Sequence, residues 1–342
     1  MFDGNQDKVD PEVWRANYAK LAEAISSGVG DMSKLEYGSA DFDLAVDLRK
    51  NAGVFAAFKN HEEQGKLAQL LTNDKGDRVS WNEFKKLAAP ITAMYNKTWL
   101  ETEYNQAMAN AEMGSKWNGF AENADIYPNL EYRAVMDGRT RDEHAALNGT
   151  VLPIDDPFWE ANYPPNGWGC RCSVTQTDKP VAQSDAAKSA KPDPGFDFNP
   201  GIDKKLFADT AGYYKTGDKN LIEETSAKLL ISESRKTSKV ADSIKSEVMG
   251  DISISSKGWK EAINQPHPNY IEKNMAMENI QGLIDSATEI RILKETKGNP
   301  MVKQYRALRV SIAGGESWVL LREGQDGSLS LYTIVGKLKK EQ

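Results

Sequence analysis

The chain has 342 residues, 39% apolar and 27% charged with eight tryptophans, too hydrophobic for a disordered chain and too polar for a membrane protein. At roughly 100 to 200 residues per domain it should hold about two domains. The net charge of -7 is uneven, with 13 Lys and Arg against 11 Asp and Glu from Asp251 onward and 30 against 39 before it, so only the tail has the charge balance to hold nucleic acid.

No apolar run approaches the roughly 20 residues of a membrane helix, so no membrane partner is expected. The start, MFDGNQDKVDPEVW, lacks the basic flank and apolar stretch of a secretory signal, which points to synthesis in a cytoplasm. Cys170 and Cys172 are the only cysteines, and one residue apart they cannot form a disulfide framework.

Residues 1–124 read as a helical region from residue 11 on, because apolar residues recur at three- and four-residue spacing. Val13, Tyr18, Leu21 and Ile25 form one such stripe, and Trp81, Phe84, Leu87, Ile91 and Tyr95 form another. Ser80 with Glu83 has the form of a capping box. The strongest helix runs from Trp99 to about Phe120.

The character changes at Tyr127-Pro128. Residues 125–178 read as a loop-rich Cys-x-Cys subdomain: a strand over 130–136, a DGRT turn, a short polar helix DEHAAL, a Pro- and Trp-rich loop over 151–168, and a second strand in GCRCSVTQT. So little regular structure needs something else to fix the loops. Cys170, Cys172 and His144 supply three soft or borderline metal ligands where zinc wants four, and Asp137, Asp142 or a water could complete the set. The alternative is that both thiols are packing residues and His144 bonds to a backbone carbonyl.

Residues 179–250 read as a linker, rich in Ala, Ser, Lys, Asp and Pro over 179–194, followed by polar helices. Residues 251–342 read as a small α+β domain: a helical stretch over 270–287 and a four-stranded antiparallel sheet over 289–295, 305–312, 317–323 and 329–335. Gly314-Gly315 and Asp326-Gly327 are hairpin dipeptides between these strands. The fold class is therefore α+β multidomain.

The run RAVMDGRTRDEHAALNGTVLPIDDPFWEANYPPNGWGCRCSV resembles the phage head morphogenesis family, the phage Mu F-like minor head proteins. The resemblance rests on Asp137, Arg139 and Thr140 in the turn, Arg141 and His144 on the short helix, Pro164, Pro165, Gly167 and Trp168, and the terminal Cys170-Arg171-Cys172. It covers roughly residues 81–177, including the helix TWLETEYNQAMANAEM. It implies a low-copy component of the virion head near the portal, with portal and capsid proteins as partners and phage DNA as a further one. Other members carry Cys-x-x-Cys where this chain has Arg141 and His144, which with Cys-Arg-Cys makes four zinc ligands; this chain departs from that set at Arg141, so a structural zinc here would rest on His144, Cys170 and Cys172, with Asp137 from the residue-type reading as the fourth ligand. Arg141, in place of a thiol, is expected to pair with Asp137 or Asp142.

The tail, with its EN-I-x-x-LI-x-x-A helix and a final strand ending in Leu-Tyr-x-Ile, resembles the barnase/EndoU/colicin/RelE-like nuclease group in versions found on phage and polyvalent proteins. That likeness implies metal-independent ribonuclease chemistry on RNA. His267 would be base or acid, Arg306, Arg309 and Lys273 would hold phosphate, and Tyr332 or Glu295 would be the second proton carrier. Strand alternation sets Arg306 and Arg309 on opposite faces. The competing reading is a structural virion protein whose tail is an inactive interaction module, with His267 a loop residue and the arginines a solvated sheet face.

Overall fold

The computed structural model describes residues 9–296 and 298–338. They fall into two units, one of residues up to 30 with 47–229, the other of residues 31–46 with those from 230 onward.

The first unit begins with α1 (Pro11–Gly28), whose start is set by Asp10 accepting from the backbone N–H groups of Glu12 and Val13, with Pro11 at the first helical position. α2 (Ala40–Gln69), whose residues up to Val46 belong to the second unit, and α3 (Trp81–Ala93) follow, and Ser80 accepts from the Glu83 N–H as its spacing predicts. A π-helical turn (Met94–Trp99) leads directly into α4 (Leu100–Glu122). α1 packs on α4 so closely that a Cβ on Gly28 would meet Ala111 and the backbone of Met108 and Glu112 at 2.7 Å. Trp14, Leu21, Ile25, Phe55 and Phe58 fill the core, and Lys59 and Glu103 form a buried ion pair at 2.5 Å.

The subdomain after α4 is built on a three-stranded antiparallel sheet of β1 (Asn129–Arg133) between β2 (Val151–Pro153) and β3 (Ser173–Thr177). Two short helices, α5 (Asp142–Ala145) and α6 (Phe158–Asn162), complete it. The loops are fixed by an aromatic core in which Tyr132, Trp159 and Tyr163 are buried with Leu130, Leu152 and Val174. Tyr163 anchors this core to α4 by donating its hydroxyl to the Met113 carbonyl at 2.9 Å.

Residues 179–229, expected as linker and polar helix, group with this unit. Ala182 bridges to Val151, Ala187 packs in the aromatic core, and Phe196, Phe198, Leu206 and Phe207 are buried. Regular structure here is limited to α7 (Asp185–Lys188), α8 (Pro200–Asp203), a 3-10 turn (Gly212–Lys215) and α9 (Lys219–Ser234), whose last turn belongs to the second unit.

The second unit is α+β, but its sheet has six strands rather than the four expected, and it is not wholly antiparallel. The additional strands are β4 (Ser243–Ser246) and β5 (Gly250–Ser253), a hairpin in the stretch read as polar helix. β6 (Glu289–Lys294), β7 (Val302–Ile312), β8 (Gly315–Gly324) and β9 (Leu329–Val335) are the expected four. The order is β4-β5-β9-β8-β7-β6, with β5 and β9 parallel. Three short helices, α10 (Ser256–Asn264), α11 (Tyr270–Ala276) and α12 (Ile280–Asp285), lie between β5 and β6 in the chain. Residues 31–46 join this unit through Tyr37, which donates to the Ser311 carbonyl at 2.7 Å, and through Asn279, which donates to the Leu35 carbonyl at 2.6 Å.

Candidate functional site

The turn at Asp137 and the Cys-Arg-Cys run face one another across the small subdomain. The Asp137 carboxylate accepts from the Arg139 N–H at 3.0 Å, closing the turn that leads into α5. α5 then places His144 inward, where it is buried. Cys170 and Cys172 flank Arg171 with both sulfurs inward, at 3.6 and 3.8 Å from His144 Nδ1. Both thiols are free of disulfides.

Two thiolates and an imidazole around a tetrahedral zinc would stand about 3.6 to 3.8 Å apart, given zinc–sulfur and zinc–nitrogen bonds of about 2.3 and 2.05 Å. The sulfur–nitrogen distances match that spacing, and all three donor atoms lie within 4.8 Å of one another. The residues therefore fit a thiophilic cation held by His144, Cys170 and Cys172, with a fourth ligand from outside the trio.

Asp137 is not brought into this group. Its two oxygens accept from both terminal nitrogens of Arg171, at 2.8 and 2.6 Å, which also holds its carboxyl below the usual carboxylate range. Arg141 pairs with neither Asp137 nor Asp142 as expected: it donates to the Trp168 carbonyl at 2.8 Å and stands 3.9 Å from Asp193. Arg171 reaches Asp137 first because the turn brings that carboxylate under the Cys-Arg-Cys run.

The hydrogen bond with Cys172 pulls the Cys170 thiol down, helped by His144, while Cys172 is pushed up by Cys170 and by burial. His144 is raised by its bond to Cys170. A pocket of about 120 Å³ opens beside the trio, with Arg139, Arg141 and Arg171 in its wall.

In the second unit the five candidate catalytic residues do not form one group. His267, between α10 and α11, is half-buried, and its Nδ1 accepts from the Asn269 N–H at 3.0 Å. That leaves the proton on Nε2, which donates to Ser317 Oγ at 3.1 Å, so the ring has no lone pair directed outward as a base. Burial and nearby Lys273 lower its pKa.

Arg306 donates to the buried Glu323 carboxylate at 2.7 Å, while Arg309 pairs with Glu289 at 3.4 Å and Glu316 at 3.8 Å. Tyr332 lies 5.4 Å from the Tyr305 ring, with the Arg322 guanidinium 4.0 Å over its face. Glu295 reaches the same place, where with burial it pushes Tyr305 up to about 12. Ser317 and Arg322 are five residues apart on β8, roughly 16 Å, so His267 and the Tyr332–Glu295 pair do not converge.

Lys273, expected to hold phosphate, is fully buried. It donates to the carbonyls of Ala262, Ile263 and Gln265 at 2.5, 2.9 and 2.9 Å, capping the end of α10. Glu323 escaped the sequence reading, although its alternation with Val319 and Leu321 already placed it on their inward face.

Residues 62–175 match the family model described as Phage Mu protein F like protein, and residues 227–332 match Large polyvalent protein-associated domain 3. The chain is 49% identical over 75 residues to a protein of Escherichia phage Mu provisionally named capsid assembly protein F, covering 22% of this chain and 17% of that one. It is 43% identical over 86 residues to the Mu-like prophage FluMu F protein of Haemophilus influenzae, covering 24% of this chain and 21% of the relative. The chain thus aligns with only about a fifth of the length of these curated relatives. No solved structure matches. Among the described residues no helix is long and apolar enough to cross a membrane.

Proposed function

We propose that the protein is a phage head morphogenesis component, acting in capsid assembly through its first unit, with capsid and portal proteins as partners. The observation that carries this reading is the match over residues 62–175, which takes in the end of α2, α4, the Asp137 turn, His144 and the Cys-Arg-Cys run. The physical form supports it. Short strands and loops pack around Tyr132, Trp159 and Tyr163, and Tyr163 ties them to α4. Expression of the full chain with the head genes of its phage tests this: co-sedimentation with head particles is expected, and its consistent absence from them overturns the reading.

For the second unit, the interaction-module reading is favoured over ribonuclease chemistry. The specific observation is His267, whose two nitrogens are both engaged within the fold. Incubating the full chain with RNA distinguishes the two. No cleavage is expected, and cleavage lost on His267→Ala would overturn this assignment.

A further inference from the structure

A second feature of the first unit lies outside both the metal-ligand trio and the expected catalytic residues. A cavity of about 510 Å³ is walled by Phe55, Trp99, Trp168 and Tyr213, with Glu62 and Glu103 in its lining. The rings form a connected array: Trp99 and Tyr213 lie 6.3 Å apart, Tyr213 and Phe55 5.3 Å. Trp168 joins through Phe207, whose ring is 3.7 Å from Phe55 and 6.3 Å from Trp168. Trp168 is nevertheless 42% exposed, so the cavity has an open wall.

Among the described residues the lining holds two carboxylates and no cationic side chain, although each carboxylate has a lysine partner just outside it, Lys66 for Glu62 and Lys59 for Glu103. They differ in what they can still accept. Glu103 uses both oxygens, one toward Lys59 and the other toward the Tyr213 hydroxyl at 2.8 Å. Glu62 takes Lys66 at 2.9 Å and the Tyr95 hydroxyl at 2.6 Å on the same oxygen, Oε1, which leaves Oε2 with acceptor capacity. The protein already makes this kind of contact beside the cavity, holding the Lys66 ammonium 5.1 Å from the Tyr95 ring centre and 5.7 Å from that of Trp99.

We infer that the cavity is a docking site for an arginine side chain of a partner protein. A guanidinium is flat enough to stack on these rings, weakly hydrated enough to leave water, and can aim its fork at Glu62 Oε2. A purely apolar occupant would make no use of that oxygen.

The test uses the full chain with nitrogen-15 in its tryptophan indoles. The probe is Nα-acetyl-arginine methylamide, with the citrulline analogue as a neutral mimic of the same shape. Trp99→Phe and Trp168→Phe assign the two signals. The arginine compound is expected to shift both saturably, the citrulline compound to bind about ten-fold more weakly, and Glu62→Gln to weaken the arginine compound about ten-fold at an unchanged melting temperature. If Glu62→Gln disturbs folding, the exposed Trp168→Ala serves as the second variant, with a similar loss expected. No saturable shift, equal binding of citrulline, or undiminished affinity in the variants each overturns the proposal.

Discussion

Arg171 donates through both terminal guanidinium nitrogens to Asp137, at 2.8 and 2.6 Å, tying the turn before α5 to the residue between the two cysteines. Both side chains are more than a third exposed, so the pair sets geometry more than it supplies stability. Asp137→Asn should leave the melting temperature within a few degrees of wild type while lowering metal affinity several-fold. A calorimetric scan beside a cobalt titration checks both, and a large drop in melting temperature would contradict the assignment.

The trio of His144, Cys170 and Cys172 predicts one equivalent of zinc or cobalt, the cobalt form seen in its near-ultraviolet thiolate-to-metal absorption. Cys170→Ser and Cys172→Ser should each remove that absorption, and His144→Ala should weaken binding by at least ten-fold. Chelation should lower the melting temperature of the loaded protein, because binding free energy adds to folding free energy. Full absorption in the double serine variant would place the metal elsewhere.

Trp159 is fully buried in the small subdomain and donates its indole N–H to the Pro153 carbonyl at 2.9 Å. Trp159→Ala should cost about 3 to 5 kcal/mol in urea denaturation, from lost burial and the cavity left behind. A cost below about 1 kcal/mol would mean the loops are held by something other than this core.

Lys273 gives the second unit a pH dependence. Its pKa is lowered from 10.5 to about 7, first by burial and then by Arg235. Between those values the unfolded chain binds more protons than the folded one, so stability should rise with pH from about 7 toward 10.5. The slope should stay below about 1.4 kcal/mol per pH unit, since the three carbonyl bonds favour the charged form and oppose the shift. Urea midpoints across this range check the sign, and Lys273→Met should flatten the curve.

In the first unit α3 was legible through a local marker, Ser80 with Glu83, and α1 and α3 both through an apolar stripe that period 3.6 exposes. The strands β6 to β9 were legible through alternation and the glycine turns between them. The β4–β5 hairpin was not, because among Ser, Lys, Glu and Asp its inward side chains include just Ile244, Ser246 and Ile252, too few to show a period of two. In the candidate site, the thiols and His144 could be found by residue type and spacing. The partner of Asp137 could not, since Arg171 stands 34 residues away and only the folded turn brings them together. The state of His267 was equally out of reach, for it depends on a backbone N–H two residues on and a serine fifty residues on.

The sheet order of the second unit has a consequence for its assembly. β9 comes last among its strands in the chain yet lies in the interior of the sheet, parallel to β5 on one side and antiparallel to β8 on the other. During synthesis the early hairpin and the later three-stranded meander therefore wait as separate pieces, each with an unsatisfied backbone edge, until β9 emerges and stitches them together. A premature stop just before Leu329 would leave two open fragments rather than a slightly shortened domain.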